Sequence, residues 1–158
     1  MSGHGSPTIT LEGAQGLRVT VVAGQWHEKI TDGLISGSIR VLEANGVNYS
    51  IVRVPGSFEL PVAAKAALDA GVDAVVALGV IIRGGTPHFD FVASAATAGL
   101  TDVAIQTGKP VGFGVLTLDN EEQGIDRAGF PGSSEDKGAE AAEAALATAL
   151  VLRGLRGV

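Results

Sequence analysis

The segment 79–90 combines residue types that could bind an anion and transfer a proton. Thr86 is a favourable N-cap and Pro87 suits the first position of a helix, so a helix is predicted to begin at this point. Gly84 and Gly85, immediately before it, leave backbone N–H groups uncovered at the positive end of that helix. Such an arrangement is a ready site for an anion.

His88 is predicted to lie in the first turn of the same helix. A helix N-terminus disfavours added positive charge, which keeps an imidazole neutral and able to accept a proton at about pH 7. The structural alternative is a histidine that only hydrogen-bonds to its own loop. An anion site beside a proton carrier indicates an enzyme.

Strand and helix patterns alternate along the chain and must position these residues. Strands are predicted near 17–23, 49–54, 73–80 and 111–116, the third within a wholly apolar and therefore buried run, 74–82. Helices are predicted from the turn 24–27 to the C-cap pair 45–46, at 57–70, from 88 towards 107, at 119–128 and at 135–153, the last with Ser133 and Asp136 as a capping box. This order predicts a three-layer α/β/α sandwich around a four-stranded parallel sheet, flavodoxin-like in outline. Ligands of such sheets bind beyond the carboxyl ends of the strands.

Length indicates one domain, since the chain has 158 residues. Residues 17–158 are predicted to form a single α/β domain, and 1–16, rich in Gly, Ser and Pro, a flexible arm. The alternation at 8–11 suits a strand added to a sheet edge, a neighbour's included. No basic region precedes an apolar core at the start, so no signal peptide is expected. No apolar run approaches the ~20 residues of a membrane span.

Charge and composition narrow the class of partner. A formal net charge of -6 argues against nucleic acids and anionic membrane surfaces. The absence of cysteine excludes disulfides and thiolate metal sites and fits a cytoplasmic protein. Apolar residues make up 46% and charged residues only 18%, against a usual ~25% charged. This balance has two interpretations. Surface could be buried against copies of the same chain, or the chain could have the Ala- and Gly-rich composition of a high-GC genome.

Common cofactor sites are absent from the sequence. The first strand is not followed by G-x-G-x-x-G, and no G-x-x-x-x-G-K-[ST] occurs. The loop after that strand lacks the hydroxyl side chains that a flavodoxin-like FMN site needs. His4, His27 and His88 have no paired spacing, so no metal site is predicted. His27 is expected to be a polar first-turn residue rather than a catalyst.

Other polar and aromatic residues after the strands have two interpretations each. Trp26 could stack on a flat heteroaromatic substrate or pack on the next helix. Ser57 and Glu59 could cap their helix and favour its dipole, or bind sugar or polyol hydroxyls. Arg127 could complement the negative end of its helix or clamp a phosphate. Lys137 follows two acidic residues, which also suits an ordinary solvated face.

Six separated segments together resemble the lumazine synthase family, and the resemblance covers about 17–153. Their order and spacing make the match specific, whereas any one alone would be weak. The segments are 26–27, 55–61, 79–90, 113–117, 121–129 and 137–138.

The resemblance implies a reaction as well as the fold. The family condenses 5-amino-6-(D-ribitylamino)uracil with 3,4-dihydroxy-2-butanone 4-phosphate to 6,7-dimethyl-8-ribityllumazine, releasing phosphate and water. This is the penultimate step of riboflavin biosynthesis. No metal or organic cofactor takes part, and both substrates are small molecules.

The resemblance also implies site residues, carried over position by position. His88 matches the proton-transfer residue, and Trp26 an aromatic that stacks on the pyrimidine and is commonly Phe in relatives. The remaining substrate contacts would be Ser57, Phe58 and Glu59 for the ribityl chain, Val80, Ile81 and Ile82 for the pyrimidine, and Gly85, Thr86 and Arg127 for the phosphate. Phe113, Lys137 and Arg127 would come from a neighbouring subunit. The active sites would then lie between the subunits of a homo-oligomer, a pentamer or a multiple of pentamers.

Two departures from the family pattern have consequences. Gly124 stands in a helix where relatives often have Ala, at an expected cost of ~1 kcal/mol. The linker 130–136 is longer than the turn typical of relatives that form sixty-subunit shells, which favours a free pentamer or a pair of pentamers.

Two other functions remain open on the sequence. The archaeal-type riboflavin synthase shares the fold but consumes two lumazine molecules, and it does not need a butanone-phosphate site. A flavin- or lumazine-binding carrier, or a shell scaffold without activity, is the alternative from a different class. His88, Arg127 and Glu59 argue against both a carrier and a scaffold.

Overall fold

The computed structural model describes residues 3–157, so Met1 and Ser2 of the predicted arm and Val158 of the predicted domain lie outside the described residues. Four parallel strands form one sheet in the order β2-β1-β3-β4. The strands are β1 (Arg18–Gly24), β2 (Asn48–Val54), β3 (Ala74–Ile82) and β4 (Val111–Leu118). The predicted parallel sheet is therefore confirmed.

Helices cover both faces of this sheet. They are α1 (Glu28–Ala44), α2 (Leu60–Asp69), α3 (His88–Thr107), α4 (Glu121–Arg127) and α5 (Lys137–Leu155), with one 3-10 turn at Ser57–Glu59. One core cluster joins α1 and α5 to the sheet, and a second joins α2 and α3 to its other face. Adjacent residues of β3 alternate between the two clusters, as Val75 and Val76 do. The three-layer architecture is confirmed.

The loop that carries the glycines begins where β3 and β4 end together. Residues 74–81 are buried throughout, as expected for a strand covered on both faces. Ile82 pairs with Leu118 at the end of both strands, and the Arg83 N–H donates to the Leu118 carbonyl at 2.8 Å. The loop 83–87 therefore starts at the carboxyl edge of the sheet.

Helix α3 begins at His88, where the predicted range 88–107 begins. Pro87 already has helical backbone angles, and the His88 N–H donates to the Thr86 hydroxyl at 3.4 Å. Pro87 occupies the N-cap position, and no side chain caps α3. The predictions of Thr86 as the N-cap and Pro87 as the first helical residue are therefore each wrong by one position.

The predicted capping box of the last helix is wrong. Helix α5 begins at Lys137, and the Asp136 side chain alone caps it by accepting from the Ala139 N–H at 3.1 Å. The Ser133 hydroxyl instead donates to the Ile125 carbonyl at 2.6 Å and accepts from the Phe130 N–H at 2.9 Å. Ser133 closes the linker onto α4, which sequence spacing does not reveal.

Glycines allow two close helix contacts. A Cβ on Gly138 of α5 would overlap the Leu34 carbonyl of α1, and the Ser38 hydroxyl donates to the Gly138 carbonyl at 2.8 Å. A Cβ on Gly124 of α4 would lie 2.5 Å from Ile30 Cδ1. Close packing therefore requires Gly124, although glycine lowers the stability of a helix.

The end of the predicted arm contacts the domain. Ala14 is buried, and the Gly16 N–H donates to the Gly46 carbonyl at 3.1 Å. Residues 8–11 form no strand within the described chain. Strand addition to a neighbour and the arm boundary at residue 16 stay predictions. Within residues 3–157, no helix is long and apolar enough to cross a membrane.

Candidate active site

A cavity of about 660 Å³ lies beyond the carboxyl ends of the central strands. This is where ligands bind in parallel α/β sheets, and the volume suits a small organic molecule. Its walls come from the turn after β1, the 3-10 turn after β2, the end of β3 with its loop, and the start of α3.

Most of the predicted substrate residues line this cavity. They are Trp26, Ser57, Phe58, Glu59, Val80, Ile81, Ile82, Thr86 and His88. Gly85 lies in the same loop, between the lining residues Gly84 and Thr86, but does not line the cavity itself. Phe113, Arg127 and Lys137 also lie outside the lining.

The two loop glycines are not required by packing within the chain. A Cβ on Gly84 or Gly85 would meet no heavy atom within 4 Å, and neither residue has a positive φ. Both are exposed beside the exposed His88, the first residue of α3. The backbone of both glycines is therefore accessible, at the positive end of a 20-residue helix.

The cavity is apolar on its floor and open at its mouth. Val80 and Ile81 are buried beneath it. Trp26, Phe58 and Phe91 line it with 67%, 64% and 74% of their surfaces exposed. Large apolar side chains this exposed mark a surface that a ligand or another chain covers.

Ser57 is a buried polar residue without a partner. It is 6% exposed, and its hydroxyl has no hydrogen bond within the described residues. The hydroxyl lies so close to Gly79 that a Cβ there would overlap it. Because an unpaired buried hydroxyl is costly, its place in the cavity wall points to a ligand partner.

The structural roles considered for Ser57 and Glu59 have different outcomes. Ser57 makes no capping hydrogen bond, and the position before the 3-10 turn is Gly56, so Ser57 as an N-cap is wrong. Glu59 does reach back, since its Oε2 accepts from the Gly56 N–H at 3.0 Å. Glu59 therefore has a local structural role in addition to lining the cavity.

His27 lines the cavity in a strained backbone conformation. Its φ of 55° and ψ of 62° are left-handed, and it is the one non-glycine residue with positive φ among residues 3–157. The turn is fixed in part by the Thr31 hydroxyl, which donates to the Trp26 carbonyl at 2.9 Å. Such strain is usually retained at functional sites. His27 therefore occupies the N-cap position of α1 without a capping hydrogen bond and lines the cavity, rather than lying in the first turn as expected.

Four lining residues were not predicted from the sequence as site residues, namely Gly56, Phe89, Phe91 and Val92, whereas Gly84 was predicted as part of the anion site. Phe91 and Val92 follow His88 by three and four positions, so they share its side of α3. Helical spacing counted from His88 is therefore the sequence signal that could have identified Phe91 and Val92.

Arg127 and Lys137 lie together in a second polar cluster. Arg127 donates to the Gln123 carbonyl at 3.0 Å, and its Nε lies 3.5 Å from Glu135 Oε2. Lys137 Nζ lies 3.3 Å from Glu135 Oε1 and 2.7 Å from Glu140 Oε2. Burial lowers the pKa of Lys137, but hydrogen bonds to Glu140 and Glu135 outweigh this, so the pKa is raised and the side chain stays cationic.

The positions of Arg127 and Lys137 also test the simpler structural roles considered for them. Arg127 lies in the last turn of α4, where a cation complements the helix dipole. Lys137 is not on a solvated face, since its side chain is largely buried. Phe113 projects from β4, opposite Ala77 in register, with its ring exposed.

The sequence matches the family model described as 6,7-dimethyl-8-ribityllumazine synthase over residues 16–153. A protein of that name from Leifsonia xyli subsp. xyli is 71% identical over 159 residues, covering 99% of this chain and 100% of the relative. Another from Clavibacter michiganensis subsp. michiganensis is 68% identical over 160 residues, covering 99% of each chain. One from Streptomyces coelicolor is 57% identical over 156 residues, covering 98% of this chain and 97% of the relative.

Proposed function

The chain belongs to the 6,7-dimethyl-8-ribityllumazine synthase family, and on that premise we propose how its residues divide the reaction. It is a transferase that condenses 5-amino-6-(D-ribitylamino)uracil with 3,4-dihydroxy-2-butanone 4-phosphate in the penultimate step of riboflavin biosynthesis. The observation that supports the assignment of residues is the cavity, because the predicted pyrimidine, ribityl and proton-transfer residues line the same space.

The reaction needs proton transfers and the release of an anion. The 5-amino group adds to the ketone carbon, and loss of water gives an imine. Loss of a proton from the neighbouring carbon, with cleavage of the C–O bond to phosphate, gives an enol that tautomerises to a second ketone. The ribityl-bearing nitrogen adds to this ketone, and loss of a second water closes the ring. No electrons are gained or lost overall.

His88 is the proton-transfer residue in this proposal. It lies at the first position of α3, exposed to the cavity and next to the loop glycines. From this position it can carry protons between the amine, the carbon next to the imine and the leaving group. Much of the remaining acceleration would come from holding the two substrates in alignment.

The two ends of the uracil substrate have different surroundings. Trp26 would stack on the pyrimidine, and Val80, Ile81 and Ile82 would line the pocket beside it. The ribityl chain would lie along Ser57, Phe58 and Glu59, where the unpaired Ser57 hydroxyl and the Glu59 carboxylate can bond polyol hydroxyls. This use of Ser57 accounts for a buried polar atom that folding alone leaves without a partner.

The phosphate would be held from two subunits. Gly85 and Thr86 would bind it with backbone N–H groups and a hydroxyl, and Arg127 and Lys137 of a neighbour would supply the positive charge. Phe113 of the same neighbour would cover the open mouth. The location of all three outside the cavity lining of their own chain supports this division.

We propose a free pentamer, or a pair of pentamers, as the assembly, because the linker 130–136 is longer than the turn typical of relatives that form sixty-subunit shells. The exposed aromatic residues of the cavity and other exposed apolar side chains, such as Val62 and Ile105, support burial between subunits. Light scattering tests it, and a mass near sixty chains would contradict it. We also place the protein in the cytoplasm, which cell fractionation tests.

Purified protein mixed with both substrates tests the function. Lumazine fluorescence and phosphate release should rise together, well above the spontaneous rate. A lumazine-consuming riboflavin synthase would instead need no butanone phosphate. A carrier or scaffold would give no rate above background, which would contradict the activity.

A further inference from the structure

Glu135 lies between the two cations of the second cluster. Its Oε2 is 3.5 Å from Arg127 Nε, and its Oε1 is 3.3 Å from Lys137 Nζ. The side chain is only 12% exposed, so water screens its charge less than that of a surface carboxylate. One carboxylate thus contacts both residues that the proposed function assigns to the substrate phosphate.

The backbone holds Glu135 firmly. Its N–H donates to the Asp126 carbonyl at 3.1 Å, and its carbonyl accepts from the Gly129 N–H at 3.0 Å. The next residue, Asp136, forms a bridge to Ala128 and caps α5. These contacts fix the backbone of Glu135 beside Arg127 and Lys137.

The two acids of the cluster offset the charge of its two cations. Arg127 and Lys137 contribute two positive charges, and Glu135 and Glu140 contribute two negative charges, so the four side chains are formally neutral. Glu140 is the more exposed of the two acids and contacts only Lys137 of the two cations. Glu135 therefore has the larger effect on the positive potential that a phosphate would meet.

We propose that Glu135 is a positioning and affinity-setting residue, which holds Arg127 and Lys137 together and weakens their grip on orthophosphate. The inference rests on the proposed function. A carboxylate beside these two cations lowers the positive potential that the product phosphate meets, and this favours its departure. The sequence gives no sign of this role, because Glu135 lies in the linker, outside the segments that resemble the family.

The test is product inhibition by inorganic phosphate in the variant Glu135→Gln. The amide removes the negative charge and keeps one oxygen, which can accept from Arg127 or from Lys137. The inhibition constant for phosphate should fall about three- to tenfold, as expected for the loss of one partly screened charge. The variant Glu135→Asp keeps the charge, so its inhibition constant for phosphate should stay close to that of the unmodified protein. An unchanged or raised inhibition constant in Glu135→Gln would overturn the inference.

Asp69→Asn is the matched control for net charge. Asp69 ends α2, pairs with Lys65 and is exposed, so this variant makes the same change in charge away from the cluster. The inhibition constant for phosphate should not change in this control. A fall equal to that in Glu135→Gln would show that net charge, and not the position of Glu135, causes the effect. Light scattering checks assembly, and Glu135→Asn replaces Glu135→Gln if the latter fails to assemble.

Two further measurements separate this inference from the proposed function. If the unmodified protein forms no lumazine, the proposed function itself fails. If the unmodified protein is active and Arg127→Ala raises the inhibition constant for phosphate while Glu135→Gln does not lower it, only the role of Glu135 is overturned.

Discussion

The guanidinium of Arg83 lies 4.2 Å from the centre of the Phe89 ring. Its Nε is also 3.3 Å from Asp119 Oδ1, and its Nη1 is 3.7 Å from Asp90 Oδ1. Phe89 is part of the cavity wall. Arg83 therefore connects three segments: the loop after β3, the first turn of α3, and the loop between β4 and α4.

Replacing Arg83 should affect turnover more than stability. Its contacts are exposed, and a cation–π contact of this kind contributes about 0.5–1 kcal/mol. Arg83→Gln should therefore lower the free energy of unfolding by about 1 kcal/mol or less, measured in urea. By loosening the wall next to His88, it should lower kcat/KM about three- to tenfold. The variant Arg83→Lys keeps the charge but not the planar stack on Phe89, so its kcat/KM should lie between those of the unmodified protein and Arg83→Gln. An unchanged kcat/KM in both variants would contradict the role of Arg83 in positioning the cavity wall.

Ser57→Ala should separate stability from substrate binding. The variant removes a buried hydroxyl that has no partner in the described chain. The free energy of unfolding should stay constant or rise by up to about 1 kcal/mol. The KM for the uracil substrate should rise several-fold, while the KM for butanone phosphate should change little. A clear loss of stability with unchanged KM values would mean that the hydroxyl has a partner within the protein.

Gly124→Ala should destabilise the protein, although alanine normally favours a helix. The added Cβ would lie 2.5 Å from Ile30 Cδ1 and 2.9 Å from Leu118 Cδ1. Overpacking of this kind costs about 1–3 kcal/mol and exceeds the ~1 kcal/mol gained in helix propensity. Urea denaturation should show a lower midpoint. Ile30→Val, which removes the nearest methyl group, should restore part of the loss in the double variant, and a stabilised single variant would contradict the packing.

His88→Ala should slow lumazine formation without abolishing it. Proton transfer by a positioned side chain contributes about 10²–10⁴-fold, and the alignment of substrates remains in the variant. Steady-state fluorescence at saturating substrate gives kcat, and both KM values should change little. A loss greater than ~10⁴-fold would exceed a general-base role and mean that the role of His88 is misassigned.

The sheet and its loops could be predicted from the sequence because their signals are local. The apolar run 74–82 needs cover on both faces, and the glycines and proline after it end the strand and start a helix. The cavity residues follow from this order, since parallel strands bring their carboxyl ends to one edge.

The second polar cluster could not be predicted in the same way. Arg127 and Lys137 lie on different helices, and only the closure of the linker places Glu135 between them. Ser133 shows the same limit, because its partner, the Ile125 carbonyl, is chosen by the path of the linker and not by helix spacing. The left-handed turn at His27 is likewise set by its surroundings, since a histidine has no local preference strong enough to impose it.

The central claim is that His88 of one subunit and Arg127 of its neighbour serve one site. Mixed assemblies of His88→Ala and Arg127→Ala chains test it most directly, with lumazine formation as the readout. In a ring of randomly mixed chains, about one interface in four pairs an intact His88 with an intact Arg127. A site shared between subunits should give activity well above the sum of the two separate variants, near a quarter of the unmodified rate. Activity equal to that sum, in assemblies shown to contain both chains, would contradict a site shared between subunits.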